Sequence, residues 1–258
     1  MSAKEILAWL ERRGTKKNVD GMARYAIVAP KVFGVSVGTL RDLGKKIGRD
    51  HDLADALWNS GWYEARMLCA FVDDPAKVTP AQMDRWAKDF DNWAICDSTC
   101  FHLFDKTPHA WAKVKAWSAR KEEFIKRGAF ALVAAMGVHD KTAPDDSFRK
   151  SLKLIERAAS DERNFVKKGV NWALRVVGRR SLALNADAIA LSRRLADSEN
   201  AATRWIAKDA LRELTSPMVQ RNLAVREKKM AVLAAKAAAR AAKVAAKTKS
   251  SFRVKKSK

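Results

Sequence analysis

The sequence has little glycine and proline, and it lacks any long stretch of uncharged apolar residues. Eleven glycines and six prolines among 258 residues favour helices over strands, because alanine, leucine, lysine and arginine dominate the rest. No run of about 18 uncharged apolar residues occurs, which excludes an ordinary transmembrane helix. The N-terminal segment carries charges within its apolar run and has no small-residue cleavage site. It predicts an amphipathic helix rather than a signal peptide.

Cysteine is also scarce, with only Cys69, Cys96 and Cys100 in a chain without an export signal. We expect reduced thiols and a cytoplasmic protein, since disulfides form in oxidising compartments. Cys96 and Cys100 lie one helical turn apart with His102 nearby, but further ligands at suitable spacing are missing. We therefore predict that the cysteines pack in the core, and we expect neither a metal ion nor an organic cofactor.

Acidic residues are few relative to basic ones, 29 against 51, which gives a formal net charge of +22. This excess favours polyanionic partners, chiefly nucleic acid, through counterion release. A ribosome-like or merely solubilising surface is the alternative that charge alone leaves open. Residues 218–258 are rich in lysine, arginine and alanine and hold thirteen basic residues against the single acidic Glu227. We predict a repeat domain at 1–217 and a disordered or loosely helical basic tail at 218–258 that grips phosphates.

Signals for helix starts recur along the body of the chain. Thr79-Pro80 and Thr107-Pro108 each resemble an N-cap followed by proline at the first helical position. Acidic clusters at 160–162 and 197–199 are typical of first helical turns. No segment alternates β-branched residues as strands do, so we predict an all-α protein.

Four segments echo one another, each with an aromatic and a basic residue near its start and an apolar helical run behind it. They are Trp62–Pro75, Phe124–Asp140, Phe165–Arg180 and Thr203–Pro217. The last three are spaced by about 40 residues, the range of HEAT and armadillo repeats. We predict a HEAT-like helical-repeat solenoid, an α-α superhelix. Its concave basic face would carry Arg66, Arg127 and Lys168 at matching positions and would suit a DNA duplex.

The segment Trp86–Phe104 places a carboxylate within an apolar stripe. At steps of three and four residues it presents Trp86, Phe90, Trp93, Asp97, Cys100 and Phe104, which predicts one helical face. A carboxylate there is costly unless it is paired or lies in a cleft, so Asp97 is a candidate functional residue. The alternative is that Asp97 caps a new helix starting at Ser98.

Tryptophan is over-represented relative to tyrosine, nine residues against two. Trp172 lies in a predicted helix among lysines and Arg175. Tryptophans beside cations are more often packing residues than ligand contacts, but stacking on sugars or bases uses such faces. Both interpretations of Trp172 remain open at this point.

In order and approximate spacing, these residues resemble the DNA alkylation repair glycosylases of the AlkD type, which are built from HEAT-like repeats. The resemblance covers about residues 1–217. Its carriers are Tyr25, nine residues before Gly34, Trp93 and Asp97 in DNWAICD, Arg127 in FIKRGAFAL, and Trp172 in FVKKGVNWALR. The resemblance implies that Asp97 is the catalytic carboxylate and that Trp93 and Trp172 contact the lesion's deoxyribose. We place Tyr25 beside them, and we assign Arg127, Lys168 and Arg175 to the DNA backbone.

The activity that the resemblance implies is that of a monofunctional DNA glycosylase. It would hydrolyse the N-glycosidic bond of N3- or N7-alkylated purines in duplex DNA without flipping the base. Cleavage develops oxocarbenium character on the deoxyribose, which Asp97 would stabilise while orienting water. We expect a monomer, free of membrane attachment, whose partner is double-stranded DNA carrying alkylated purines.

Three alternatives stay open at the level of sequence. The first is a non-catalytic HEAT-repeat protein that binds bent, damaged or branched DNA by shape and charge. The second is a protein-binding solenoid with acidic partners. The third is an RNA-directed role, for which no RNA-recognition motif is present.

Overall fold

A computed structural model of the chain describes residues 1–233 and Lys236. Within these residues the secondary structure is helical, with no strand. The helices are Ala3–Glu11 (α1), Lys16–Ala23 (α2), Val37–Ile47 (α3), His51–Asn59 (α4), Tyr63–Val72 (α5), Pro80–Lys88 (α6), Trp93–His102 (α7), Ala110–Trp117 (α8), Glu123–His139 (α9), Asp145–Ala158 (α10), Asn164–Gly178 (α11), Leu182–Leu195 (α12), Ala201–Leu214 (α13) and 217–233 (α14). A 3₁₀ turn, Phe104–Lys106, follows α7.

Several helix starts follow the capping rules directly, α1 and α6 among them. Ser2 and Glu5 form a capping box at α1, each satisfying a backbone N–H that the first turn leaves free. Thr79 caps α6 by accepting from the N–H of Gln82, with Pro80 in the first turn. The predicted start at Thr79-Pro80 is confirmed, as is the predicted N-terminal amphipathic helix.

The other three predicted starts lie two to four residues too early. α8 begins at Ala110 rather than after Thr107, because the Thr107 hydroxyl donates to the carbonyl of Phe104 instead. At α11 and α13, Asp161 and Ser198 accept N–H groups of the connecting turns. A polar side chain before a helix can bond a turn as readily as a cap.

The predicted single stripe over Trp86–Phe104 is wrong, because the chain turns between α6 and α7 at residues 89–92. Trp58 donates its indole N–H to Asp89 at 2.8 Å, and the Trp58 and Trp86 rings stack with centroids 4.1 Å apart. Trp86 and Phe90 therefore belong to the buried packing of α4 and α6. They do not share a helical face with Asp97.

The helices form two layers of a superhelix. α3, α5, α7, α9, α11 and α13 pack successively against one another, and α4, α8, α10 and α12 cover them from the other side. The more closely packed layer lies on the inside of the curve. The four echoed segments correspond to α5, α9, α11 and α13 of this inner layer, so the predicted HEAT-like repeat is confirmed.

Glycines near the ends of two inner helices permit this close approach. A Cβ on Gly137 of α9 would lie 2.5 Å from a methyl group of Val176 on α11. A Cβ on Gly178 of α11 would lie 2.7 Å from Leu214 on α13. Because the two glycines occupy equivalent repeat positions, they set the same spacing between successive inner helices.

The core runs continuously from Ile6 to Leu214 through both layers. All three cysteines are buried and unpaired within it, which confirms their predicted role as core residues. Among the described helices, none has the length and apolarity needed to cross a bilayer.

α14 extends the described structure beyond residue 217. Val219 and Leu223 are buried, and Gln220 donates its side-chain amide to Asn185 and to the carbonyl of Leu214. The first two turns of the tail, which was predicted to be disordered or loosely helical, therefore pack against the repeat domain. The boundary at 217 stays a prediction, and the tail beyond Lys236 lies outside the described residues.

Candidate functional site

Asp97 lies in the middle of α7, on the inner layer. The helix begins at Trp93, and the side chain of Asn92 caps it by accepting the N–H groups of Ala94 and Ile95. The alternative that Asp97 caps a helix starting at Ser98 is therefore wrong. Trp93 and Asp97 lie one turn apart on the same face, as predicted from their spacing.

Arg127 of α9 holds the Asp97 carboxylate in a two-pronged ion pair. Its Nε donates to Oδ1 at 2.8 Å and its Nη2 to Oδ2 at 2.7 Å, while Nη1 donates to the carbonyl of Phe165 at 2.6 Å. The two side chains are only 8% and 18% exposed, Arg127 and Asp97 respectively. The structure thus places Arg127 on Asp97, whereas we predicted a contact with the DNA backbone. A carboxylate among apolar side chains requires such a counter-charge.

The protonation of Asp97 reflects two opposed effects. Burial raises the pKa of Asp97 above its ordinary value, and the Arg127 guanidinium opposes that rise. The same contact raises the pKa of Arg127 despite its burial. With both oxygens accepting charge-assisted hydrogen bonds, the carboxylate is held ionised in a fixed orientation.

A surface cavity of about 430 Å³ opens beside Arg127, lined among others by Tyr25, Trp93, Phe165 and Lys168. Asp97 contacts Arg127 but is not itself among the lining residues. The cavity brings together four residues predicted from sequence, contributed by α7, α9, α11 and the loop after α2. Lys168 is exposed, and none of the salt bridges among residues 1–233 includes it. Its ammonium group is therefore available for a phosphate, and its contact with the DNA backbone stays a prediction.

The loop that carries Tyr25 is fixed to the inner layer. The Tyr25 side chain is 69% exposed, and its carbonyl accepts the indole N–H of Trp93 at 2.8 Å. Trp93 is thus oriented by the loop. The Tyr25 side chain extends into solvent at the mouth of the cavity, where a bound ligand can contact it.

Sequence reasoning missed Glu64, which anchors the same loop. This carboxylate of α5 is fully buried and accepts the backbone N–H groups of Phe33, Gly34 and Val35 at 3.0, 2.6 and 3.1 Å. Gly34 has φ +87°, and a Cβ there would collide with the carbonyl of Thr15. The single sequence signal was Gly34 itself, because a positive φ favours glycine.

Trp172 lies on α11 and stacks on Phe101, with ring centroids 6.0 Å apart and planes 21° from parallel. Phe101 follows Asp97 by one helical turn, so Trp172 reaches the neighbourhood of Asp97 through this ring. Trp172 is not among the residues that line the cavity. Phe101 was missed from sequence, although its spacing from Trp93 and Asp97 at steps of four residues is the available signal.

Two basic residues predicted for the inner face are bound within the protein. Arg175 donates to Glu213 at 2.6 Å and lies 3.8 Å from Asp209, and its contact with the DNA backbone stays a prediction. Arg66 pairs with Asp89 at 3.3 Å and is largely buried. In both cases a carboxylate from a neighbouring helix or turn neutralises the guanidinium.

Other cations line the inner layer at the C-terminal ends of α3 and α7. Arg41, Lys45, Arg49 and Lys106 surround a groove of about 270 Å³ that also contains His102. Burial and the neighbouring Lys106 and Arg41 lower the pKa of His102 to about 4. Together with Lys168, these residues place several cations on the inner face, although Arg66 and Arg175 are paired with carboxylates.

The arrangement supplies one ionised carboxylate, flanked along α7 by Trp93 and Phe101, beside an open cavity with an available lysine. In residues 1–233 no group of three or more His, Cys, Asp or Glu side chains could hold a metal ion. The site can stabilise a cationic centre that approaches Asp97 and can bind a phosphate at Lys168.

Comparison with known proteins agrees with this architecture. The family model described as DNA alkylation repair enzyme matches residues 6–214, and the chain belongs to this family. The fold is also similar to a solved structure from a family described as related to the HEAT-like repeat DNA glycosylases, with affinity for branched DNA structures. The TM-score is 0.68 at 20% identity, covering 83% of this chain and 96% of the other. No curated protein matches the sequence.

These comparisons show a DNA alkylation repair fold built from HEAT-like repeats. The resemblance to the AlkD type noted from Tyr25, Trp93, Asp97, Arg127 and Trp172 is thereby confirmed at the level of family. The roles of the individual side chains stay predictions.

Proposed function

We propose that the protein is a monofunctional DNA glycosylase that releases N3- and N7-alkylated purines from duplex DNA. The observation that carries this proposal is the Asp97 carboxylate, held in a fixed orientation on the inner face by Arg127 at 2.7 and 2.8 Å. The membership in a DNA alkylation repair family supports the same conclusion. The partner is double-stranded DNA that lies along the basic inner layer.

In this mechanism the enzyme acts on the sugar rather than on the base. An alkylated purine is cationic and already a good leaving group, so departure of the base needs little acid catalysis. Positive charge develops on the deoxyribose as the glycosidic bond breaks. Asp97 stabilises that charge and orients the attacking water, and its fixed position avoids reorganisation during the reaction.

The aromatic and basic neighbours position the DNA strand. Trp93 presents an electron-rich ring to the sugar, because cations are attracted to aromatic faces, and Trp172 with Phe101 continues this aromatic surface. Lys168 binds a backbone phosphate at the cavity. The base remains stacked in the duplex, and Arg127 acts by holding Asp97 rather than by contacting the backbone.

The test is release of free 7-methylguanine or 3-methyladenine from methylated duplex DNA by the wild type and by Asp97→Asn. We expect the variant to lose about 10²–10³-fold in rate, the usual effect of removing one electrostatic stabiliser, and to bind duplex within a few-fold of the wild type. Asp187→Asn is the matched control, because Asp187 is likewise bound by an arginine but lies on the outer layer. Release that survives in Asp97→Asn would remove Asp97 from the mechanism.

A second candidate function is favoured by one observation. Both oxygens of Asp97 accept hydrogen bonds from Arg127. This also fits a purely structural ion pair in a protein that binds DNA without removing a base. The similar solved structure comes from a family with affinity for branched DNA. If the wild type releases no alkylated base and binds a four-way junction more tightly than a linear duplex, this second function is the correct one.

A further inference from the structure

The outer layer carries a cationic groove that the proposed function does not use. It lies between α8 and α10, has a volume of about 430 Å³, and is floored by Trp111, Val114 and Leu154. The curvature of the superhelix separates these outer helices, since the inner helices pack more closely than the outer ones. Trp111 contributes one edge of its ring to the packing, against Phe148 at 5.1 Å.

Four basic residues border the groove, and no acidic residue does. Lys115 comes from α8, and Lys150, Lys153 and Arg157 come from α10. The α10 residues recur at steps of three and four, so they lie on one helical face. The four side chains therefore concentrate positive charge along the border of the groove.

The contrast with neighbouring cations argues against a generic solvated surface. Arg149, next to Lys150, pairs with Asp146 and Asp187, and Arg194 pairs with Glu156. Among the salt bridges of residues 1–233, none involves a cation of the groove. The acidic residues of this region thus neutralise the flanking arginines and leave the groove cations available for an external anion.

The spacing of the row fits a nucleic-acid backbone. Lys150 and Arg157 are separated by about 10.5 Å along α10, at 1.5 Å per residue. One DNA strand places a phosphate about every 3.4 Å of duplex axis, so the row extends over about three phosphate-to-phosphate steps along that axis. A cationic row above an apolar, tryptophan-containing floor is also the composition of surfaces that bind a nucleic-acid strand.

We propose that this groove is a second DNA-binding site, which takes the phosphate backbone of a DNA segment other than the one over Asp97. α8 and α10 lie behind the inner helices α9 and α11, so the duplex at Asp97 cannot also occupy the groove. A molecule with two such sites would hold a branched DNA more tightly than a linear one. This proposal does not depend on excision of a base.

The experiment compares two triple variants of the full chain with equal loss of charge. The groove variant is Lys150→Gln, Lys153→Gln and Arg157→Gln. The control is Lys4→Gln, Lys88→Gln and Arg193→Gln, which removes three exposed cations from α1, α6 and α12. None of the three is in a salt bridge among residues 1–233. Fluorescence anisotropy measures binding of a linear duplex, a single strand and a four-way junction between about 50 and 200 mM salt.

We expect the groove variant to bind the junction about tenfold more weakly than the wild type. The slope of log affinity against log salt for the junction should become shallower by about 2–3, and binding of the linear duplex should change little. The control should change all three affinities slightly and equally. Equal behaviour of the two variants, or equal losses on duplex and junction, would overturn the proposal. A further possible result is that the groove variant loses binding to a poly-glutamate peptide while its DNA binding stays equal to that of the wild type. That result would also overturn the proposal and assign the groove to an acidic protein. Release of alkylated base from a linear duplex is measured in parallel. That activity tests the glycosylase proposal alone, so failure of either proposal can be recognised separately.

Discussion

Replacement of Arg127 by methionine tests the central ion pair. Methionine keeps an apolar stem of similar length against Gly169, where an added Cβ would lie 3.3 Å from the Arg127 Cγ. The substitution removes all three hydrogen bonds of the guanidinium and leaves Asp97 at 18% exposure with no counter-charge. Breaking a buried pair in this way costs about 3–5 kcal/mol. We expect about 3 kcal/mol, because Asp97 keeps some contact with water.

The penalty should depend on pH in a defined direction. Burial raises the pKa of Asp97, and loss of Arg127 removes the one group that opposes the rise. A carboxyl group with a raised folded-state pKa contributes stability below its unfolded value of about 3.9, and that contribution is lost as pH rises through the folded value. The deficit of Arg127→Met relative to the wild type is therefore largest near about pH 8 and shrinks toward about pH 5.

The assay is urea unfolding followed by tryptophan fluorescence at both pH values. The free energy of unfolding is calculated from the urea midpoint, with the same dependence of free energy on urea concentration for both proteins. A loss of about 3 kcal/mol corresponds to a thermal midpoint lower by about 6–12 °C for a domain of this size. Adding Asp97→Asn to Arg127→Met removes the unpaired charge and should restore most of the stability at about pH 8. A single variant that loses less than about 1 kcal/mol, or a deficit equal at both pH values, would refute the reasoning.

Two further predictions concern the loop and the phosphate contact. Glu64→Gln should lower the free energy of unfolding by about 1–3 kcal/mol, because it weakens charge-assisted bonds to three backbone N–H groups, two of them buried. Amide hydrogen exchange at residues 33–35 should accelerate in this variant, and unchanged exchange there contradicts the anchoring role. Lys168→Gln should reduce the salt slope of duplex binding by about 1 without altering stability, as measured by anisotropy and urea unfolding; an unchanged slope would mean that Lys168 does not reach a phosphate.

The features predicted correctly from sequence are those that depend on neighbouring residues. Thr79 and Pro80 start α6 because the cap and the proline act within one turn. Trp93 and Asp97 share a face because four residues make about one helical turn. The repeat was visible because α9, α11 and α13 carry the same local pattern of aromatic, basic and apolar positions.

The errors arose where a distant partner decides the outcome. The single stripe from Trp86 to Phe104 breaks because Asp89 bonds Trp58, which lies 31 residues earlier. Trp172 stacks on Phe101 of another helix, a contact that the sequence pattern does not indicate. The docking of α14 depends on Gln220 reaching Asn185, a contact that composition cannot indicate.

The sequence by itself determined that the protein is helical, repeated and strongly basic, because helical periodicity, capping and net charge are local or additive properties. Only the tertiary structure decided which charges remain available for DNA. Arg127 and Arg175 are bound by Asp97 and Glu213, while Lys168 is left free on the same surface. Ion pairing depends on separations of a few ångströms between side chains on different helices, and those separations exist only once the helices have packed.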